Sequence, residues 1–305
     1  MERFHNSNAN SNANSNNHYG LHNSVMICGR LLMVFFLLLS CLSAGAQIHD
    51  RERSMPIDAD SVRREFDKGP YFTLYKDNYF IFGPSIGPKA TKENTNVKFQ
   101  ISVRQKLTKS TLPLGSYLYL CYTQKVFWNV LEKSFPMTDL NFNPGIGLAK
   151  PIFKNGKYLG KIILQLEHES NGRDSIQSRS WNRLSLGADV LMSNNLLVHA
   201  KVWVPFVDGE NNKDLLKYVG IFQVGAELSS NDRRWKWSLV FAKRKTWKLD
   251  FNTIAEISWQ FSRKADWNLF AQYYNGYGEG LLDYNRFSSH LRAGIVIRPK
   301  LFSNY

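Results

Sequence analysis

The sequence predicts an all-β fold, a twelve-stranded antiparallel transmembrane β-barrel preceded by a cleaved signal peptide. Three observations predict it. An export signal lies near the N-terminus, and after it come twelve alternating segments of about ten residues with turn chemistry between them. The composition is aromatic-rich, with 20 Phe, 14 Tyr and 8 Trp against 10 Pro and 3 Cys. A helical membrane protein is excluded, because outside the N-terminal stretch no run approaches the roughly 18 apolar residues of a spanning helix. A disordered chain is excluded by a hydrophobic fraction of 43%, enough to offset chain entropy.

The first element is the leader. Residues 6–17 read NSNANSNANSNN, a polar low-complexity tract that cannot pack a core. Arg30, an apolar stretch from Leu31 to Leu39 and Ala44-Gly45-Ala46 before Gln47 form the basic, hydrophobic and cleavage regions of a secretory signal. The apolar stretch is too short for an anchor. Translation is expected to start at Met26, because the Asn/Ser tract makes a poor n-region. The expected organisation is a low-complexity tract at 1–25, a signal peptide at 26–46, a polar lead at 47–69 and a barrel at 70–305. Export leaves Cys121 as the single cysteine, so no intramolecular disulfide is available. The formal net charge of +14 suits nucleic acid or an anionic membrane surface, and export removes nucleic acid.

Strands are then expected at residues 71–82, 97–107, 114–128, 142–153, 160–170 and 181–192, followed by 196–206, 218–228, 235–243, 249–261, 267–277 and 288–297. The turns at 154–156 and 193–195 are short, whereas those around 84–96, 171–179 and 207–215 are longer and polar. A secreted lipocalin-like or sandwich protein is the rival on strand pattern alone, but twelve strands outnumber a lipocalin's eight.

Alternation assigns faces. In the fifth segment Ile162, Leu164 and Leu166 share one side, and Lys161, Gln165, Glu167 and Glu169 share the other. If the apolar side meets lipid, His168 and Ser170 face outward too. In the sixth, Leu184, Leu186, Ala188 and Val190 are outward, Asn182 continues their parity, and Arg183, Ser185 and Asp189 point in. Three chemically capable residues therefore lie on the outside of adjacent strands, beside the loop 171–179. His168 and Ser170, two residues apart, lie about 6–7 Å apart at Cα. An imidazole there can take the hydroxyl proton during attack on an ester carbonyl, and the Asn182 amide oxygen can fix its tautomer. Asn also keeps a carboxylate away from a poorly solvated lipid face. On spacing alone, polar residues near the headgroups are the readier reading, since His-x-Ser is a common coincidence.

The wording around these residues is specific. His168-Glu169-Ser170-Asn171-Gly172-Arg173 followed by Ser178-Arg179-Ser180-Trp181-Asn182-Arg183 resembles the active-site hairpin of the outer-membrane phospholipase A family. Tyr122-Thr123-Gln124-Lys125 with Trp128 resembles it as well, and so does the run from Gly276 to Asn285. The resemblance spans about Tyr71 to Phe302. It implies a barrel enzyme of the bacterial outer membrane, calcium dependent and active as a homodimer. Its substrates would be acyl esters of phospholipids and lysophospholipids, with A1, A2 and lysophospholipase activities. It further implies Ser170 as nucleophile, His168 as general base, Asn182 as its orienting partner, and the Gly172 N–H with a calcium-bound water as oxyanion hole. The matching Ca2+ ligands are the Arg173 carbonyl, Ser178 and, from the other subunit, Ser134. The acidic residues of a second calcium position depart from the family pattern, reading Asp174-Ser175 and Glu210-Asn211-Asn212.

Gln124 shares the parity of Leu118, Leu120, Tyr122, Val126 and Trp128, which puts an amide on the lipid side. An unpaired amide in hydrocarbon costs on the order of a few kcal/mol, so a partner amide across a two-fold axis is the expected remedy. Hydration near the interface is the simpler alternative. Such membrane hydrogen bonds are worth only about 0.6–2 kcal/mol, which suits a weak, regulated dimer. The basic run Lys243-Arg244-Lys245 faces either solvent or lipopolysaccharide phosphates. The competing functional class is a passive barrel, a small porin or structural protein, which has no reason to keep His168, Ser170 and Asn182 together.

Overall fold

The computed structural model describes residues 67–299, apart from 69, 88, 156, 207–209 and 247. The expected signal peptide, the Asn/Ser tract, most of the polar lead and Phe302 lie outside the described residues. Thirteen strands form one antiparallel sheet: β1 Phe72–Leu74, β2 Asn78–Pro84, β3 Thr95–Lys106, β4 Tyr117–Trp128, β5 Met137–Lys154, β6 Lys157–Ser170, β7 Ser180–Leu191, β8 Leu196–Phe206, β9 Phe222–Ser229, β10 Trp235–Lys243, β11 Phe251–Trp259, β12 Trp267–Gly276 and β13 Ser288–Ile297. Because β2 pairs with both β3 and β13, strands β2 to β13 close on themselves. Closure leaves no sheet edge, the condition for crossing lipid with strands. No described helix is long and apolar enough to cross a membrane.

The barrel has twelve staves because β1 and β2 act as one interrupted strand, both pairing with β3. The expected single strand 71–82 breaks at Tyr75–Asp77, where side chains replace ladder bonds. The Lys76 N–H donates to Ser102 Oγ at 3.2 Å, the Ser102 N–H to Asn78 Oδ1 at 2.6 Å, and Gln100 Nε2 to the Asp77 carbonyl at 2.7 Å. Two further differences concern loops. β5 begins at Met137, well before the expected 142, and Tyr218 belongs to a short helix, Leu215–Val219, so that β9 starts at Phe222.

The connections 85–94, 129–136, 171–179, 207–221, 244–250 and 277–287, most of the long ones, leave the same end of the barrel. The other end carries the tight turns and two longer links, 107–116 and 260–266. The long-loop end of such barrels faces the cell exterior. Parity is as expected: Leu164 and Leu166 are 44% and 51% exposed, while Gln165 and Glu167 between and beside them are 2% and 1%. Leu148, Ile162, Leu164, Leu166 and Leu184 are all exposed on adjacent strands, a continuous apolar band of the kind that meets lipid.

The interior is charged and paired. Lys161 meets Asp189 at 3.1 Å, Lys201 meets Glu167 at 2.7 Å, and Arg292 meets Glu279 at 2.7 Å. A cavity of about 290 Å³ remains among Lys98, Gln100, Thr123, Asn141, Arg183 and Gln272. The loop 277–287 folds over it: the Leu281 N–H donates to Asn141 Oδ1 at 3.2 Å and the Leu282 N–H to Asp139 Oδ2 at 3.0 Å. Trp181, Leu215, Leu281 and Tyr284 form an apolar cluster in the same mouth. Burial opposes the Glu279 carboxylate in this loop, yet the neighbouring Lys98 and Arg292 charges outweigh it and hold the carboxyl well below the usual range.

Candidate active site on the outer face of the barrel

Strands β6 and β7 bring the predicted residues together. The register pairs Glu167 with Arg183, His168 with Asn182, Glu169 with Trp181 and Ser170 with Ser180. Inward residues fix that register from behind. Arg183 grips Glu167 with two nitrogens, Nε to Oε2 and Nη2 to Oε1, both at 3.1 Å, and reaches Glu169 Oε2 through Nη1 at 2.9 Å. Trp181 Nε1 donates to the same Glu169 oxygen at 3.2 Å. A one-residue slip would break all four contacts and turn His168 to the interior.

On the outward face His168 Nδ1 donates to Asn182 Oδ1 at 2.9 Å. That bond selects the Nδ1–H tautomer and leaves Nε2 free to accept a proton. The His168 carbonyl accepts from Asn143 Nδ2 on β5 at 2.7 Å, so the backbone polar groups of His168 are turned to β5. Across β6 and β7 the His168–Asn182 pair is therefore the narrow, non-hydrogen-bonded kind, in which side chains approach most closely. Ser170 lies next along the face of His168, on the side of the loop. Among the described hydrogen bonds none joins Ser170 Oγ to the imidazole, as is common before substrate binds.

The loop after Ser170 is built around a residue that the sequence reading passed over. The buried Asn171 donates Nδ2 to the Gln177 carbonyl at 2.8 Å, and its Oδ1 accepts from the backbone N–H groups of Arg179 at 3.0 Å and Arg173 at 3.3 Å. Asn at a strand end before Gly is Asx-turn chemistry, a signal that was present in the sequence. Gly172 has φ +64°, and a Cβ there would stand 2.8 Å from the Phe142 ring. Among the described hydrogen bonds its N–H has no acceptor, so it is available to an oxyanion.

The metal ligands implied by the resemblance lie at this end. Ser178 closes the hairpin with its N–H on the Ser175 carbonyl at 3.1 Å, and its carbonyl accepts from Arg179. The Arg173 guanidinium is occupied by Gln177 and the Thr138 carbonyl. Among the described hydrogen bonds the Arg173 carbonyl and the Ser178 hydroxyl are not engaged, which leaves two hard oxygen donors. These fit calcium, which takes carbonyl and hydroxyl oxygens together with water. Ser134 is exposed in the loop 129–136, held in a tight turn with φ +66°. No group of three or more acidic, His or Cys residues that could hold a metal occurs among the described residues. Asn211 instead spends its amide on the Ser175 carbonyl at 2.8 Å, and Asn212 spends its own on the Ser180 carbonyl at 2.9 Å.

Gln124 lies in the same cross-strand row as the hairpin. It pairs with Phe142 on β5, which in turn pairs with Ser170. Two strand spacings, about 10 Å, thus separate the outward amide from the candidate nucleophile. Tyr122 Oη donates to Gln124 Oε1 at 3.2 Å. The interior cavity touches none of His168, Ser170 and Asn182, so a substrate would reach them from the lipid side. The basic run is partly committed within the chain: Lys243 and Arg244 both pair with Asp250 at 3.2 Å.

A sequence profile described as Phospholipase A1 matches residues 70–297. Phospholipase A1 of Escherichia coli (strain K12) is 29% identical over 289 residues, covering 88% of this chain and 97% of that one. Phospholipase A1 of Klebsiella pneumoniae is 27% identical over 294 residues, covering 88% and 98%. Among solved structures, the outer membrane phospholipase A from E. coli superposes with a TM-score of 0.66 at 27% identity, covering 76% of this chain and 99% of that one. The Salmonella typhi outer membrane phospholipase, a dimer with bound calcium, gives a TM-score of 0.66 at 27% identity over 75% and 93%.

Proposed function

The chain belongs to the phospholipase A1 family, and from that premise we propose that it hydrolyses the acyl esters of phospholipids and lysophospholipids by a Ser-His-Asn mechanism on the lipid-facing surface of an outer-membrane barrel. The observation that carries the mechanism is the His168 Nδ1–Asn182 Oδ1 bond at 2.9 Å on the exposed apolar face, with Ser170 next along it. His168 Nε2 takes the Ser170 proton as Oγ attacks the ester carbonyl, and the proton is then returned to the leaving alcohol or lysolipid oxygen. Water repeats the sequence on the acyl-enzyme. Asn182 holds the ring in its tautomer and orients the imidazolium without placing charge in lipid. The Gly172 N–H donates to the carbonyl oxygen as negative charge develops on it.

The Arg173 carbonyl, Ser178 and the partner's Ser134 would hold calcium, and the ion would supply a Lewis acid beside the developing oxyanion. Holding it with neutral oxygens implies modest affinity, of the kind found for extracellular sites. A ligand drawn from a second copy makes the site incomplete in the monomer, and the outward Gln124 lies where a two-fold contact would bring the copies together. Membrane disruption that lets copies meet would then switch activity on. Phosphates of lipopolysaccharide are a candidate partner for Lys245. A pore is a poor use of this barrel, since the loop 277–287 crosses the mouth and the interior charges are paired.

The test is fatty-acid release from mixed phospholipid–detergent micelles by the wild type and Ser170→Ala, each with calcium and with chelator. Release by the wild type with calcium alone supports the reading. Activity that survives Ser170→Ala would mean that the hairpin has another role. An inactive, folded, dimeric wild type would make the passive barrel the better account.

A further inference from the structure

The β5–β6 ladder has a gap at the catalytic histidine. The register runs from Gly145↔Glu167 to Phe142↔Ser170, and the two intervening positions, Asn143 opposite Glu169 and Pro144 opposite His168, carry no ladder pairing. Pro144 has no N–H, and proline is rare in an interior strand because it removes a ladder bond. The His168 carbonyl points to β5, where Pro144 offers it no main-chain donor. The inward, buried Asn143 fills that gap: its Nδ2 reaches the His168 carbonyl at 2.7 Å. A side chain thus takes over the bond that the main chain of Pro144 cannot make.

We propose that Asn143 is a positioning residue for hydrolysis, which sets the main chain of His168 so that its ring meets Asn182. The proposal rests on the Ser-His-Asn reading above. It joins the two sides of β6: on one side the Asn143 amide fixes the carbonyl, on the other the imidazole holds its 2.9 Å bond to Asn182. Without the amide, β6 can swing away from β5 at this point, and a displacement of about 1 Å at a reacting group costs roughly a hundredfold in rate. Pro144 is exposed on the outward face beside the site, where its ring gives the imidazole a neighbour with no competing donor.

The experiment is a rescue. Asn143→Ala, Pro144→Ala and the double variant are compared with wild type and Ser170→Ala in the micelle assay, at saturating calcium and with the dimer fraction matched by cross-linking. Asn143→Ala is expected to lose roughly 10- to 100-fold in kcat with KM little changed, because the amide touches no substrate. The double variant regains the N–H at position 144, and its kcat is expected to return to within about threefold of Pro144→Ala. Asn143→Asp, which offers acceptors to an acceptor, is expected to be at least as impaired as Asn143→Ala. Should Asn143→Ala misfold, the near-isosteric Asn143→Asp with and without Pro144→Ala carries the same comparison, the loss being expected to be larger where Pro144 is kept. Full kcat in Asn143→Ala overturns the proposal, and so does a double variant no better than Asn143→Ala. A Ser170→Ala protein that stays active instead overturns the catalytic reading, so the two failures are distinguishable.

Discussion

Replacing Asn182 by alanine removes the acceptor of the 2.9 Å bond from His168 and leaves the backbone register, fixed by Arg183 and Glu167, in place. In the ground state the lost bond is neutral. During attack the ring becomes an imidazolium, and a hydrogen bond to a charged group is worth about 1.5–3 kcal/mol. Each 1.36 kcal/mol is tenfold in rate, so kcat should fall by roughly 10- to 150-fold. The amide does not touch substrate, and KM should stay within about a factor of two. The assay is steady-state release of fatty acid from mixed micelles with calcium, on protein shown to be folded by its heat-modifiable gel mobility. A folded Asn182→Ala protein with wild-type kcat would refute the reasoning, for the imidazole would then owe neither its tautomer nor its orientation to this contact.

Gly172→Ala should reduce kcat by at least about a hundredfold and cost about 1–2 kcal/mol of stability, since φ +64° and the Phe142 ring both resist a Cβ and would displace the oxyanion donor. Phe142→Ala on that background should recover part of the loss, read by the same kinetics. Arg183→Met should destabilise the barrel by about 3–5 kcal/mol in urea unfolding from lipid vesicles, because Glu169 loses its cation and Glu167 keeps only Lys201. Glu279 has a folded pKa below its unfolded value, so the stability it contributes is present above the unfolded pKa and is lost only as pH falls through the folded one. The stability that wild type holds over Glu279→Gln should therefore persist above about pH 4.3, the ordinary carboxylate value, and shrink below it.

The fold was legible because a barrel wall repeats one simple rule. Ile162, Leu164 and Leu166 against Lys161, Gln165 and Glu167 announce their faces by period two, and the structure keeps that parity. What the pattern missed follows from side chains acting as backbone. Ser102, Asn78 and Gln100 interrupt the first strand with bonds that no alternation records. Tyr218 reads as strand but is drawn into a helix that caps the mouth beside Leu281 and Tyr284.

The site divides in the same way. His168, Ser170 and Asn182 were visible as polar residues on an apolar face. Gly172 gained its reason only when φ and the Phe142 ring were known. Asn171 and Asn143 support the hairpin through main-chain carbonyls and N–H groups, contacts that depend on three-dimensional register. In the sequence Pro144 was the one sign that a ladder bond near His168 had to be replaced.

The central claim is that chemistry occurs at Ser170 on the outer wall of the barrel. A long-chain alkylsulfonyl fluoride, which captures an activated serine hydroxyl, tests it directly when followed by peptide mass spectrometry. With calcium and dimer present, the label should appear on Ser170 at about one per chain, and it should be lost in His168→Ala, which lacks the base. Label on any other serine, or labelling of Ser170 that is unchanged in His168→Ala, would contradict the account.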